Sequence, residues 1–213
     1  MGASEGAGTG APPRRRTASE QVQLALLDAA QDVLDREGLP GVTVRAVARE
    51  AGVAPMGVYN RFGSKEGMLL ALAVQALDDL WREVAVDREL PPEERFRQGC
   101  HAYRRFALER PQRYALVFGG GGPVAQTGSE ASVYGHAVFE VLIELVEGLL
   151  GPVARERFAH SGEAAQIVWI ALHGAVHLEL GGIGQVAGSH DVYEQLLDLL
   201  VRGLRDGRSG PRL

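Results

Sequence analysis

Apolar residues return at helical spacing along most of the chain. From Ser19, the residues Val22, Leu24, Leu26, Leu27, Ala30, Val33 and Leu34 recur near every 3.6 positions, the period of an amphipathic helix. Ser19 is placed to cap its start and Gly38 to follow its end. Thr43 caps a second helix over Val44 to Ala51, and Pro55 suits the first turn of a third, where a missing N–H costs nothing. Ser64 caps a long helix running to about Val86. Pro91 and Pro92 break the pattern, and Glu93 to Glu109 resumes it with Phe96, Cys100, Tyr103 and Phe106 or Ala107 on one face. Pro111 opens a short helix ending near Phe118, and residues 119–130 read as a loop. Three more helices follow, about Ala131 to Leu150, Gly162 to Leu180 and Asp191 to Leu204, the last two parted by Gly181, Gly182 and Gly184. No stretch alternates with period two for long enough to require a sheet. The expectation is an all-α chain of about nine helices without internal repeats.

The densest information lies in Thr43 to Glu66, TVRAVAREAGVAPMGVYNRFGSKE. Ala48 is small enough for a second helix to approach closely, Gly52 accepts the positive φ of a sharp inter-helix turn, and Val58 fills the gap between the two helices. Val47, Ala51 and Val53 are expected to point inward, and Phe62 to close the unit. Packing of this kind leaves the outer face of the third helix free to enter a DNA major groove. The alternative is an ordinary helical hairpin.

Charge at first argues against nucleic acid, because the net charge is −5 over 213 residues. Divided along the chain, it does not. Arg14 to Gly67 holds eight basic and seven acidic residues, so the remainder carries the acidity. An acidic body repels DNA and confines contact to one end. Residues 1–18 are expected to form a disordered tail carrying a basic arm, Arg14, Arg15 and Arg16, with a solubilising tail as the alternative. No apolar run is long enough to cross a membrane and no signal core opens the chain, so the expected location is cytoplasmic. Cys100 is the single cysteine, which excludes an internal disulfide.

With this layout the chain resembles the TetR/AcrR family of one-component transcriptional regulators. The likeness rests on residues 20–70, most densely on Thr43-Val44-Arg45, Ala51-Gly52-Val53, Val58-Tyr59, Phe62 and Ser64-Lys65-Glu66. AYRRFALERPQRYALVF, with Trp169 and His173-Gly174, also looks like the subgroup whose C-terminal domain is named for its Trp, His and Gly. The resemblance implies a helix-turn-helix DNA-binding domain over 19–66 and a helical effector-binding and dimerisation domain over 67–213. It further implies a repressor released from a palindromic operator by a small molecule. An activator or ligand-independent regulator on the same fold is the alternative, and a helical carrier or enzyme with a vestigial DNA head a more distant one. Two positions depart from the family pattern. Ala54 and Gly57 stand where hydroxyl residues are common.

Phosphate contacts supply most affinity and base contacts the specificity. Thr43, Tyr59 and Lys65 are the phosphate candidates, and Ser64 and Pro55 complete the DNA-facing set. Arg45, Met56, Gly57 and Asn60 are expected to face outward. There Asn60 suits adenine, Arg45 guanine and Met56 the thymine methyl. The arginine arm suits a narrow minor groove. One head is too small to span a useful site, so a homodimer is expected, through the apolar faces and small residues of the last two helices.

In the body, Trp81, Tyr103, Phe106, Tyr114, Phe118, Phe139, Trp169 and His173 are candidate effector-lining residues, with ordinary core packing as the alternative for each. An aromatic, mostly neutral set suits an apolar or aromatic effector better than an anion. His173 and His177 share a helix face at zinc-pair spacing, but Gly174 stands where a zinc protease has its glutamate, and no metal site is expected. The Gly119–Gly122 run lacks the Gly-Lys-Ser/Thr of a phosphate loop. No cofactor and no catalytic residues are expected.

Overall fold

The computed structural model describes residues 18–120, 128–158, 160–185 and 188–206. Among these it holds ten α-helices and no strand: α1 Ala18–Gly41, α2 Val44–Glu50, α3 Pro55–Phe62, α4 Lys65–Val84, α5 Pro92–Glu109, α6 Pro111–Phe118, α7 Glu130–Glu147, α8 Pro152–Arg157, α9 Ser161–Leu180 and α10 Ser189–Asp206. The helix without a counterpart in the sequence reading is α8. It spans 6 residues, too few to show a period, and lies against α10. Gly151 enters it with its N–H on the Leu204 carbonyl, where a Cβ would collide with the Arg205 carbonyl oxygen.

The caps explain most boundaries. Thr43 Oγ1 accepts from the Ala46 N–H at 3.1 Å, and Ser64 Oγ from that of Gly67 at 3.1 Å. Gly38 has φ 70° and interrupts α1, so the last residues of that helix form a separate turn ahead of Pro40. Ser19 is not the cap of α1. It lies in the first turn, where its Oγ and carbonyl oxygen accept from the Arg61 guanidinium at 3.0 and 2.9 Å.

α1, α2 and α3 pack into one unit around Val33, Leu34, Val47, Ala48 and Val58, all buried. Gly52 makes the turn between α2 and α3 with φ 66°. Arg36 on α1 closes the outside onto Glu50 of α2 at 2.8 Å, and this partner holds the Glu50 carboxyl below its ordinary range. Val53 departs from expectation. It is exposed, because it sits in the turn itself and covers the first turn of α3 beside Gly57. The body forms around α4, α5, α7 and α9, with Phe96, Phe106, Leu77 and Leu80 fully buried among them. α6 stands between the two parts, touching α1 and α4 on one side and α5 on the other.

Candidate functional site

Two sites emerge, one on the outer face of α2 and α3 and one inside the body. On the outer face, Val58 at 1% exposure anchors α3, which turns Met56 (63% exposed), Tyr59 (48%), Pro55 and Asn60 outward. Gly57 is half-buried and a Cβ there would meet only Val53, at ordinary van der Waals distance. Ala54 caps α3 without a side-chain hydrogen bond, and Pro55 fixes the first turn instead. Thr43 and Arg45 are exposed on the adjoining edge of α2, and Ser64 and Lys65 open α4 at the other end. Thr43 accepts the Ala46 N–H with its oxygen, so its hydroxyl proton remains available to an acceptor, whereas Ser64 accepts from the Gly67 N–H and turns its own hydroxyl to the Glu66 carboxylate. Arg45, Arg49 and Lys65 form no ion pair among the described residues, whereas Arg61 is committed to Ser19. Arg49 escaped the sequence reading; its exposed place in the last turn of α2 is the signal that could have found it. Arg14, Arg15 and Arg16 lie outside the described residues. The surface therefore carries unpaired cations and hydroxyl donors, and exposes Asn60 beside Pro55, Met56 and Tyr59 on a single short helix. It can bind an anionic polymer and read groove edges.

The site in the body is a cavity of about 300 Å³ between α5, α6, α7 and α9, with Val84 at the end of α4 also lining it. Its aromatic wall is Tyr103, Phe118, Phe139 and Trp169; ring centroids lie 6.1 Å apart for Tyr103–Phe118, 6.3 Å for Phe118–Trp169 and 6.0 Å for Phe139–Trp169. The opposite wall is aliphatic, from Val138, Leu142 and Leu145 of α7 with Leu172 of α9, and no Asp, Glu, Lys or Arg lines it. Gly99 of α5 leaves the room for this, because a Cβ there would stand 2.5 Å from Leu145 Cδ1. Burial pushes the Cys100 thiol far up, so it stays protonated at the cavity edge.

The eight expected lining residues do not all meet. Trp81 is 42% exposed on α4 and Phe106 is fully buried in the core; neither lines the cavity. Tyr114 and His173 stand just behind the wall. Their side chains join Tyr103 in a closed triangle, with Tyr103 Oη–Tyr114 Oη 3.1 Å, Tyr103 Oη–His173 Nδ1 3.0 Å and Tyr114 Oη–His173 Nδ1 2.8 Å. Burial raises both tyrosine pKa values and lowers that of His173, with His177 adding to the last. His173 thus faces α5 and α6 within its own chain instead of a second subunit. It stacks on His177 at 6.3 Å, and the described residues contain no His, Cys, Asp or Glu group arranged to hold a metal. Of the α7 wall only Phe139 was expected; the aliphatic residues beside it were missed, although Val138, Val141, Leu142 and Leu145 are an apolar stripe at helical spacing.

α6 links the two sites. Phe118 at its end is cavity wall and Tyr114 belongs to the triangle. Arg113, one residue before, closes onto Asp35 of α1 at 2.5 Å and lies 3.6 Å from Asp79 of α4.

An exposed helix-turn-helix joined through α4 and α6 to an apolar pocket in the body is the arrangement of a DNA-binding regulator. The comparisons agree. Residues 26–72 match a model described as bacterial regulatory proteins, tetR family, and residues 96–204 match one described as tetracyclin repressor-like, C-terminal domain. The chain belongs to the TetR family of transcriptional regulators. The C-terminal description is general and does not speak to the Trp-His-Gly subgroup. An uncharacterized HTH-type transcriptional regulator of Mycobacterium tuberculosis is 27% identical over 84% of this chain and 80% of its own length. The HTH-type regulator YobS of Bacillus subtilis is 31% identical over 43% of this chain, which spans only about half (49%) of that relative. Among solved structures, a protein of unknown function from Rhodococcus sp. RHA1 superposes with TM-score 0.72 at 25% identity, covering 91% of this chain and 98% of that one. BioQ of Mycobacterium smegmatis gives TM-score 0.63 at 26% identity, over 87% and 99%. No helix among the described residues is long and apolar enough to cross a membrane.

Proposed function

We propose that this regulator is a homodimeric repressor that leaves a palindromic operator when an uncharged, apolar small molecule enters the body cavity. No catalytic step is assigned to it. Thr43, Tyr59, Ser64 and Lys65 contact phosphates, Arg45, Met56 and Asn60 read base edges, and Pro55 and Gly57 bring the α3 backbone close to the groove. Arg49 joins the phosphate set.

The dimer forms through α9 and α10. Leu197, Leu204, Ala164 and Ala165 are spent inside the chain, so the face is built from what is left outside. Ile167, Ile170, Gly174 and Leu178 follow one another at helical spacing along α9, and Val192 and Leu199 along α10, all exposed. Gly174 and Gly203 have open space where a Cβ would stand, which suits close approach of a second pair of helices.

The observation that carries the release mechanism is the double attachment of α6. Its end walls the cavity, and its Arg113 holds α1, the first helix of the DNA head. A ligand that displaces Phe118 or Tyr114 changes the hold on α1 in each subunit and so the spacing of the two heads. It shifts the equilibrium only by its differential affinity for the two arrangements. The test is fluorescence anisotropy with DNA from upstream of the coding sequence. A salt-sensitive, sequence-dependent complex is expected, and its absence at every palindrome would sink the reading. Arg113→Ala is expected to keep DNA binding while blunting release by any ligand that dissociates the parent protein.

A further inference from the structure

We infer that the cavity takes a straight-chain amphiphile lying along α7, with its hydrocarbon tail at the Cys100–Leu145 end and an uncharged polar head at Ser132 and His136. This rests on the cavity being the effector site and names the shape and chemistry of what it takes.

The lining gives the shape. Along α7 it runs from Ser132 to Leu145. That stretch is about 20 Å long at 1.5 Å per residue, while a sphere of about 300 Å³ would be only about 8 Å across. The space is therefore long and narrow. Gly99 fixes its deep end, where a Cβ would stand 2.5 Å from Leu145 Cδ1 and 3.8 Å from the Val84 carbonyl oxygen. Val84, Cys100 and Leu145 are all buried there, so this end is blind. An aromatic belt comes next, with Phe139 6.0 Å from Trp169 and Tyr103 6.1 Å from Phe118 between ring centroids. At the other end Ser132 and Gly135 are half-buried and His136 is exposed, so the cavity opens on that side. An unbranched chain can thread the belt and fill the blind end, whereas a compact cage of the same carbon number cannot reach both.

The polar groups give the head. In the belt, the Tyr103 hydroxyl is already shared with Tyr114, His173 and the Trp169 indole N–H. The other polar side chains of the lining are Ser132, His136 and Gln166, and none of them is buried. Gln166 stands exposed on α9 one turn before Trp169, beside the belt. Ser132 and His136 share the mouth, four residues apart on one face of α7. The Ser132 hydroxyl donates to the Ser129 carbonyl at 2.8 Å, which leaves its oxygen to accept. His136 turns Nε2 to Glu140 at 3.4 Å. Neither α7 nor α9 contains a lysine or arginine to hold an anionic head, and Glu130 and Glu140 oppose one. A cationic head meets no carboxylate in the lining. A hydroxyl, which both donates and accepts, can meet the Ser132 oxygen and the imidazole together.

The chain contains two tryptophans, and only Trp169 is at the cavity, so indole ¹H–¹⁵N signals of the full-length protein give a reporter and a control together. The probes are the straight-chain alcohols from hexan-1-ol to tetradecan-1-ol, with 1-adamantanol, decanoate and decylammonium as ten-carbon controls. The alcohols are expected to move the Trp169 signal and leave that of Trp81 in place. Each added CH₂ should tighten binding about threefold until the tail meets the blind end, after which the gain stops. Decan-1-ol should bind more tightly than all three controls. Leu145→Ala should carry the break to a longer chain. His136→Ala, on an exposed side chain, should weaken decan-1-ol about two- to tenfold, the value of one hydrogen bond, and leave the break in place. Binding of 1-adamantanol as tight as decan-1-ol, or a gain that continues unbroken through tetradecan-1-ol, overturns the straight-chain assignment. Tightest binding of decanoate or decylammonium overturns the uncharged head, and unchanged decan-1-ol affinity in His136→Ala overturns its placement. Each of these leaves the cavity as a ligand site. If no probe moves Trp169, the effector limb of the proposed function falls with the inference.

Discussion

In the helix-turn-helix end, Arg45, Arg49 and Lys65 have no carboxylate partner among the described residues, while in the body Arg97, Arg104, Arg110 and Arg113 each close onto one. Arg104 and Glu179 do so bidentately at 2.8 and 2.5 Å, tying α5 to α9. The same residue type thus has two uses. Paired in the body, as at Arg97 and Arg104, arginine fixes helices against each other; unpaired at the head, as at Arg45 and Arg49, it keeps its charge for an outside anion. The division has exceptions, since Arg36 of the head is spent on Glu37 and Glu50 and Arg95 of the body makes no ion pair among the described residues. That distribution explains how a chain of net charge −5 can present a cationic end. Polar groups follow the same division. Thr43 and Tyr59 of the head are exposed, whereas in the body Tyr103 and Tyr114 turn their hydroxyls to each other and to His173, and Tyr193 donates to the Cys100 carbonyl.

The comparison is tested most severely by separating the two copies of the head. Ile170→Asp with Leu199→Asp places charges on the exposed stripes of α9 and α10 without touching the cavity or α1–α3. Analytical ultracentrifugation should show monomer, and operator affinity should fall by at least about a hundredfold, because a second half-site no longer binds intramolecularly. A variant that stays dimeric would move the interface elsewhere.

Next in size are the contacts themselves. Lys65→Ala should weaken binding about five- to tenfold on all sequences and lower the salt slope by about 1. Tyr59→Phe should act on all sequences alike but more weakly. Asn60→Ala should instead alter which base is preferred in a randomised-site selection. Arg97→Ala, a paired arginine of the body, is the contrast. It should leave the salt slope unchanged and lower stability only. If Arg97→Ala changes the slope as Lys65→Ala does, the division between free and committed cations is wrong.

The head was legible in the sequence and the body only partly, for a physical reason. Ala48, Gly52 and Val58 act over neighbouring residues, so their spacing alone determines the turn and the direction of α3. The exception, Val53, lies in the turn where periodicity stops applying. The cavity depends on residues far apart in sequence. Gly99 makes room for Leu145, and Tyr103, Tyr114 and His173 meet from three helices. Aromatic type alone could not separate Trp169, which lines the space, from Trp81, which faces solvent, or from Phe106, which fills the core. The α6 link was equally hidden, since nothing local in Arg113 tells that Asp35 waits on α1.

A smaller effect concerns Gly57, on the exposed side of α3. A Cβ there meets only Val53 at ordinary distance, so Gly57→Ala should stabilise the helix by up to about 1 kcal/mol and raise Tm by roughly 2–4 °C. DNA affinity then decides the role of the glycine. Unchanged or tighter binding means an absent hydroxyl is all that distinguishes it, while weaker binding on every sequence means the backbone approaches DNA at that point.

The smallest expected effect separates the two ends by pH. Burial lowers the pKa of His173, and also that of His101 against the opposing pull of Glu194. An unfolded histidine titrates near 6.5, so below that pH the unfolded chain binds protons that the folded body does not yet accept. The stability from these two rings is therefore fully present above about pH 6.5. It declines as pH falls from there towards the folded-state values, then levels off. Both rings are partly exposed, so the decline should be modest, and His173→Gln should remove part of it. Urea midpoints between pH 7.5 and 5.5 measure it. The contacts proposed for DNA include no histidine. Anisotropy over the same range should show operator affinity holding while the body loosens. A parallel loss of both would mean that the folding of the head depends on the body more closely than its separate core implies.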